Sequence, residues 1–165
     1  MVKSIEDCVL YWRRVKVKNK HDKWLQETIR GSTDANWVDN NGHVNISNYI
    51  SLLDKSLESL CSFPGSIDSI LSNNVSYVAR SYYVKHQREL LHPSGWYMKA
   101  GITSIARNKF MSFHCLYQDQ TRVAKFYLES IFFDLVSRRS IDLSLEQIDL
   151  YTYGIVTGFD ENRIK

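Results

Sequence analysis

The sequence predicts an α+β domain in which one long amphipathic helix packs on an antiparallel sheet. Three observations carry this. Ile46, Tyr49, Ile50, Leu53, Leu57 and Leu60 recur at helical spacing and make one apolar stripe. From Val75 to Val136 the apolar period changes to two, through four long segments rich in aromatic and β-branched residues. The connections between these segments are short turns, which join antiparallel neighbours and cannot carry a parallel crossover. A helix preceding such a sheet covers one of its faces.

Each element follows from local chemistry. Residues 25–36 read as a first strand. Asn45 is a good N-cap for a helix over 46–61, because its side-chain oxygen can accept from first-turn amides. Phe63-Pro64-Gly65 stops that helix. Ser66 to Asn74 is a polar connection with room for one helical turn. In the next strand Val75, Tyr77, Ala79, Ser81 and Tyr83 alternate with Ser76, Val78, Arg80 and Tyr82. His92-Pro93-Ser94-Gly95 is a turn signal. Trp96 to Ala106 follows as a strand with Trp96, Met98, Ala100 and Ile102 on one face. Arg107-Asn108-Lys109 connects to a strand over Phe110–Tyr117, and Gln118-Asp119-Gln120 to a strand over Thr121–Val136. Ser144 and Gln147 form a capping box for a short last helix.

This organisation is one domain over residues 25–150, between a basic leader (1–24) and a polar tail (151–165). The 165 residues suffice for a normal buried core, and 44% hydrophobic with 24% charged residues is a globular composition. A net charge of +3 is too mild to demand nucleic acid. No apolar run approaches the ~20 residues of a membrane span. The three cysteines, Cys8, Cys61 and Cys115, lack metal-ligand spacing and read as reduced thiols of a cytoplasmic protein. His86, His92 and His114 likewise show no metal spacing. Cys115 reads as a core thiol. Glycine-rich phosphate loops and Gly-x-Ser-x-Gly elbows are absent, which argues against kinases, dinucleotide enzymes and serine hydrolases. In the leader, Arg13, Arg14, Lys16, Lys18, Lys20 and Lys23 alternate in part with Val15 and Val17, which suggests a short edge strand.

The chemistry concentrates in Trp37-Val38-Asp39-Asn40-Asn41-Gly42-His43-Val44-Asn45, directly before the long helix. It places a carboxylate, an imidazole and carboxamides beside the positive end of a helix, an arrangement suited to a developing oxyanion. Asp39-x-x-Gly42-His43-Val44-Asn45-x-x-x-Tyr49 resembles the signature of hotdog-fold acyl thioesterases. The stretch is similar to betainyl-CoA thioesterases, although position 40 is Asn where those usually carry an aromatic. It also resembles plant acyl-ACP thioesterases, which place Asp, Asn and His where Asp39, Asn41 and His43 stand, with Gln at Gly42. The 4-hydroxybenzoyl-CoA thioesterases put their catalytic Asp at the position of Asp39.

The resemblance implies a hotdog fold, a long helix wrapped by a curved sheet, working as a homodimer or dimer of dimers on an acyl-CoA or acyl-carrier-protein thioester. It implies no metal, cofactor or prosthetic group. Asp39 is then a general base or nucleophile; by itself an aspartate here equally makes an Asx-turn. Asn41 and His43 orient water or donate to the oxyanion, or else only shape the loop. Glu89, in the Arg88-Glu89 pair, stands where the plant enzymes carry a catalytic Glu; its alternative is a rim ion pair. Gly42, through its amide, Asn45 and Tyr49 are candidate substrate contacts, with Asn45 read first as a cap. Arg107 and Lys109, with Arg80 and Lys125, are candidate contacts for coenzyme phosphates or ordinary surface charges. The basic leader has the same two readings. A different class of function is a non-catalytic hotdog protein that binds acyl groups or acts as a scaffold.

Overall fold

A computed structural model describes residues 25–151. Strand β1 (Gln26–Ser32) is followed by a 3-10 turn at Ala35–Trp37 and helix α1 (Ile46–Ser62), then a second 3-10 turn at Ile67–Ile70. Strands β2 (Val75–His86), β3 (Gly95–Ala106), β4 (Lys109–Gln118) and β5 (Thr121–Asp134) follow, then a two-residue β6 (Arg139–Ser140) and helix α2 (Leu145–Asp149). The sheet order is β1-β3-β4-β5-β2, with β6 on β5, and every pairing is antiparallel. The long helix lies against one face of this curled sheet, which is the hotdog arrangement.

The first strand, expected over residues 25–36, spans only Gln26–Ser32. Asp34 accepts from the Asn36 amide at 2.8 Å and turns the chain into the 3-10 segment. Strand β5 ends two residues before Val136, because the Asp134 carboxylate takes the Val136 amide at 2.9 Å and bends the backbone. The Asp119-Gln120 hairpin has φ of 48° and 63°, the mirror-image turn that matches strand twist. At the end of α1, Gly65 adopts φ +78°. The capping box is present, with Ser144 and Gln147 exchanging bonds of 3.1 and 3.0 Å. The expectations for the leader, and for the tail beyond Tyr151, lie outside the described residues.

Of the four register slips among the described strands, two correct the expected alternation. Register slips between Ala79 and Ser81 in β2 and between Ile102 and Ser104 in β3. An extra residue sends the side chains beyond it to the other face. Tyr77 therefore packs with the core beneath α1 while Tyr83 packs on the opposite side, not on one face as the simple alternation had it.

Helix α1 buries Tyr49, Leu52, Leu53, Ser56, Leu57, Leu60 and Cys61. Ile46, the first residue of the expected stripe, is instead 59% exposed, and Ser56 takes a core position. Ser56 is not left unpaired. Its hydroxyl lies 2.8 Å from His114 Nδ1 and 2.7 Å from Thr28 Oγ1, and His114 Nε2 lies 2.9 Å from Ser112 Oγ. This buried polar chain joins helix, β1 and β4, so both imidazole nitrogens have partners.

Burial pushes His114 down to about 3 from its ordinary 6.5. Above pH 6.5 neither folded nor unfolded chain binds this proton. Between about 3 and 6.5 only the unfolded chain binds it, so stability falls as the pH falls through that window, by ~1.4 kcal/mol per pH unit from this group. Urea titrations from pH 7 to 5 are expected to show this slope in the wild type and its loss in His114→Gln.

Candidate active site

The motif loop is folded by its own hydrogen bonds. The Gly42 amide donates to the Asp39 carbonyl and the Asp39 amide to the His43 carbonyl, both at 3.0 Å. This reversal needs Gly42 at φ +82°. Asp39 Oδ1 accepts the Asn41 amide at 2.8 Å, an Asx-turn. Val38 and Val44 form an isolated antiparallel bridge, and the Asn45 amide donates to the Trp37 carbonyl at 2.8 Å. Asn45 then caps α1, accepting the Ser47 amide at 2.9 Å and the Ser47 hydroxyl at 2.8 Å.

This folding aims the ionisable groups. Asp39 Oδ2 faces His43 Nδ1 at 3.6 Å, with both side chains part-buried at 22% and 31% exposure. One carboxylate oxygen is fixed by backbone and the other points at an imidazole beside solvent. Such a pair can accept a proton from a bound water or attack a carbonyl directly. Asn41 is exposed at the loop tip. The Gly42 amide, a candidate donor to a substrate carbonyl, is occupied inside the turn.

Glu89 is brought to this loop from a distant part of the chain. The Val44 amide donates to the Leu90 carbonyl at 2.9 Å, and the Leu90 amide donates to the Tyr49 hydroxyl at 2.8 Å. Glu89 is exposed beside this anchor, close enough that its charge, after burial, helps raise the Tyr49 pKa. Tyr49 is thus a buried strut whose hydroxyl holds backbone. His86, which its sequence context gave no reason to select, stands edge-on to the Tyr49 ring at 4.8 Å, its pKa lowered by burial. Only the convergence of β2 with α1 places it here. Trp37 of the loop packs on Trp96, with ring centres 6.2 Å apart.

Arg107 and Lys109 lie elsewhere. They flank the β3–β4 turn, while Trp37 of the motif loop packs on Trp96 at the opposite end of β3. The two ends of β3 are about 36 Å apart along the strand. Arg107 Nε donates to the Leu143 carbonyl at 3.2 Å, and Lys109 pairs with Glu129 at 2.8 Å beside Arg80 at 3.8 Å. Within the chain these cations do not meet the Asp39 loop. Among the described residues no group of His, Cys, Asp and Glu is arranged to hold a metal ion, and no helix is long and apolar enough to cross a membrane.

A family model described as the thioesterase-like superfamily matches residues 33–149, more than half the chain and all of the loop, helix and four-stranded core. The chain belongs to the thioesterase-like superfamily. No curated protein matches the sequence. Among solved structures, the probable thioesterase YbaW from Escherichia coli superposes with a TM-score of 0.66 at 12% identity, covering 76% of this chain and 98% of that one. A DHNA-CoA thioesterase from Staphylococcus aureus gives 0.63 at 12% identity, over 75% and 87% of the two chains. The S. aureus protein SAV2348, solved in complex with CoA, gives 0.61 at 14% identity, over 82% and 94%. At these identities the likeness establishes the shared fold.

Tyr49→Phe leaves the buried Leu90 amide without an acceptor and is expected to cost ~1–3 kcal/mol in chemical denaturation. A changed KM with unaltered stability would instead make Tyr49 a substrate contact.

Proposed function

We propose that this protein hydrolyses an acyl thioester, with acyl-CoA as the substrate class. Membership in the thioesterase-like superfamily supports thioester hydrolysis in general. The observation that carries the specific reading is the Asp39 carboxylate, pinned through Oδ1 and free at Oδ2 beside His43, next to the start of α1. Water positioned by Oδ2, Asn41 and His43 loses its proton to Asp39 as its oxygen bonds to the thioester carbon. The positive end of α1 and the His43 and Asn41 side chains stabilise the oxyanion. Collapse expels the thiolate, which takes up the proton to give free acid and thiol. In the nucleophilic variant Oδ2 itself attacks, and water then hydrolyses the mixed anhydride. Glu89 assists from the adjoining Leu90 anchor.

The assembly belongs to the same reading. Among the described residues strand β2 pairs with β5 on one side only, and it presents Val78 and Tyr82, 38% and 55% exposed, along the sheet edge. Joining two such edges gives a homodimer, the unit from which a dimer of dimers is built, and brings a partner's residues toward each site. Arg107 and Lys109, remote from Asp39 within the protomer, then serve coenzyme phosphates only across such an interface.

A non-catalytic acyl-binding or scaffold protein is the second reading. Its support is the use of Asp39 as an Asx-turn acceptor and of the Gly42 amide as a turn donor, roles a purely structural loop would have.

Thiol release from a panel of acyl-CoAs separates the two readings. Asp39→Asn, which can keep the Asx-turn, is expected to lower kcat ~100-fold or more. Equal rates in wild type and mutant would remove Asp39 from the chemistry. No turnover on CoA or carrier-linked substrates would favour the binding protein. Single turnover in H₂¹⁸O that leaves the label in the Asp39 carboxylate identifies nucleophilic attack followed by water adding at the aspartyl carbonyl, whereas the general-base route puts the label in the product acid alone. Tyr82→Asp is expected to yield monomers in sedimentation analysis; an unchanged mass would show that assembly uses another surface.

A further inference from the structure

A groove of about 460 Å³ opens where the chain leaves β2 and enters β5, lined by Gln87, Arg88, Gln120, Thr121 and Arg122. Backbone bonds hold its two sides together, since the Gln87 and Arg88 amides both donate to the Val123 carbonyl, at 2.8 and 3.1 Å. Arg122 Nε donates to Gln87 Oε1 at 2.8 Å, which fixes the orientation of that guanidinium at the groove. The Arg88 side chain makes no hydrogen bond or ion pair among the described residues, so its donors remain for a ligand. No carboxylate lines this groove among the described residues. The neighbouring recess, which shares Gln120, differs: Glu27 and Asp119 line it, and Glu27 pairs with Arg30 there. Two guanidiniums offer more charge and more donors than the two oxygens of one carboxylate take, and they match a phosphate ester.

The groove is tied to the Asp39 loop. Arg88 lies two residues before Leu90, within about 7 Å of it along the chain. The Leu90 carbonyl in turn holds the Val44 amide at 2.9 Å, and Val44 follows His43, which faces Asp39. We propose that this groove seats the phosphate at the far end of the thioester's carrier, with Arg88 and Arg122 as its contacts, an assignment that rests on the hydrolysis reading above. An acyl group on CoA and one on a carrier-protein arm are both joined to phosphate through a long flexible chain, so the recognised group is the same for the two sources. With the phosphate seated here, that chain leads past the Leu90 anchor toward Asp39. The groove then selects phosphorylated thiols over unphosphorylated ones, a role that Arg107 and Lys109 cannot take within the chain because they stand at the far end of β3.

Binding can be read without turnover, by calorimetry of the full-length protein with CoA, phosphopantetheine and pantetheine. Wild type is compared with Arg88→Gln, which removes no bond of the fold, and with Arg88→Gln/Arg122→Gln. Phosphopantetheine is expected to bind wild type about tenfold or more tighter than pantetheine, and the variants to lose that difference. A further gain from phosphopantetheine to CoA that the variants also lose supports the groove as the seat of the coenzyme's diphosphate. Equal binding of those two, still dependent on the arginines, supports it as the seat of the single phosphate that a carrier arm presents. Equal affinity of wild type for all three thiols, a preference for phosphate that the variants keep, or no binding of any of them overturns the proposal. Each of those results leaves thioester hydrolysis to be judged by the acyl-CoA panel. Absence of turnover on every thioester, with arginine-dependent binding of phosphopantetheine, removes the hydrolysis reading and supports the groove as the phosphate seat of a binding protein.

Discussion

Leu90 is held by both of its backbone groups, and the site depends on that hold. Its carbonyl takes the Val44 amide from the motif loop, and its amide is taken by the Tyr49 hydroxyl from the second turn of α1. Leu90 is fully buried, so neither bond competes with water and losing either leaves a polar group stranded. Three segments that share no local sequence are thereby fixed together: the loop, the helix and the stretch leaving β2. The placement of Glu89 next to the motif loop follows from this anchor.

The loop itself illustrates how one residue serves structure and chemistry together. Asp39 uses one carboxylate oxygen to shape the turn and keeps the other toward His43. A structural Asx-turn and a catalytic carboxylate are therefore compatible in this geometry. The fixed oxygen removes rotational freedom from the other, which is what positioning a base or nucleophile requires.

Beneath the helix, packing alone would not fix how α1 lies on the sheet. The chain of hydroxyls and imidazole through Thr28, Ser56, His114 and Ser112 gives α1 one specific seat, since sliding would strand His114 without partners. The bulges in β2 and β3 supply matching curvature. They bend β2 and β3 around α1 and reassign their later side chains to opposite faces. Tyr83 and its neighbours thus form an apolar outer surface that a flat, strictly alternating sheet would not have.

Much was determined by the sequence alone, and for local reasons. Apolar period, capping residues and turn chemistry act over a few residues, so α1 with its Asn45 cap, the four long strands and the Ser144–Gln147 box were all legible. The loop motif was legible because its functional groups are consecutive. Tertiary structure decided everything that depends on which distant strands meet. It buried Ser56 against His114 and left Ile46 exposed, because the seat of the helix, not the stripe alone, sets its buried face. It turned Tyr49 into a strut, set His86 against it and Glu89 beside the Leu90 anchor, and held Arg107 and Lys109 at the far end of β3. Sheet order and register are long-range properties, and no spacing along the chain encodes them.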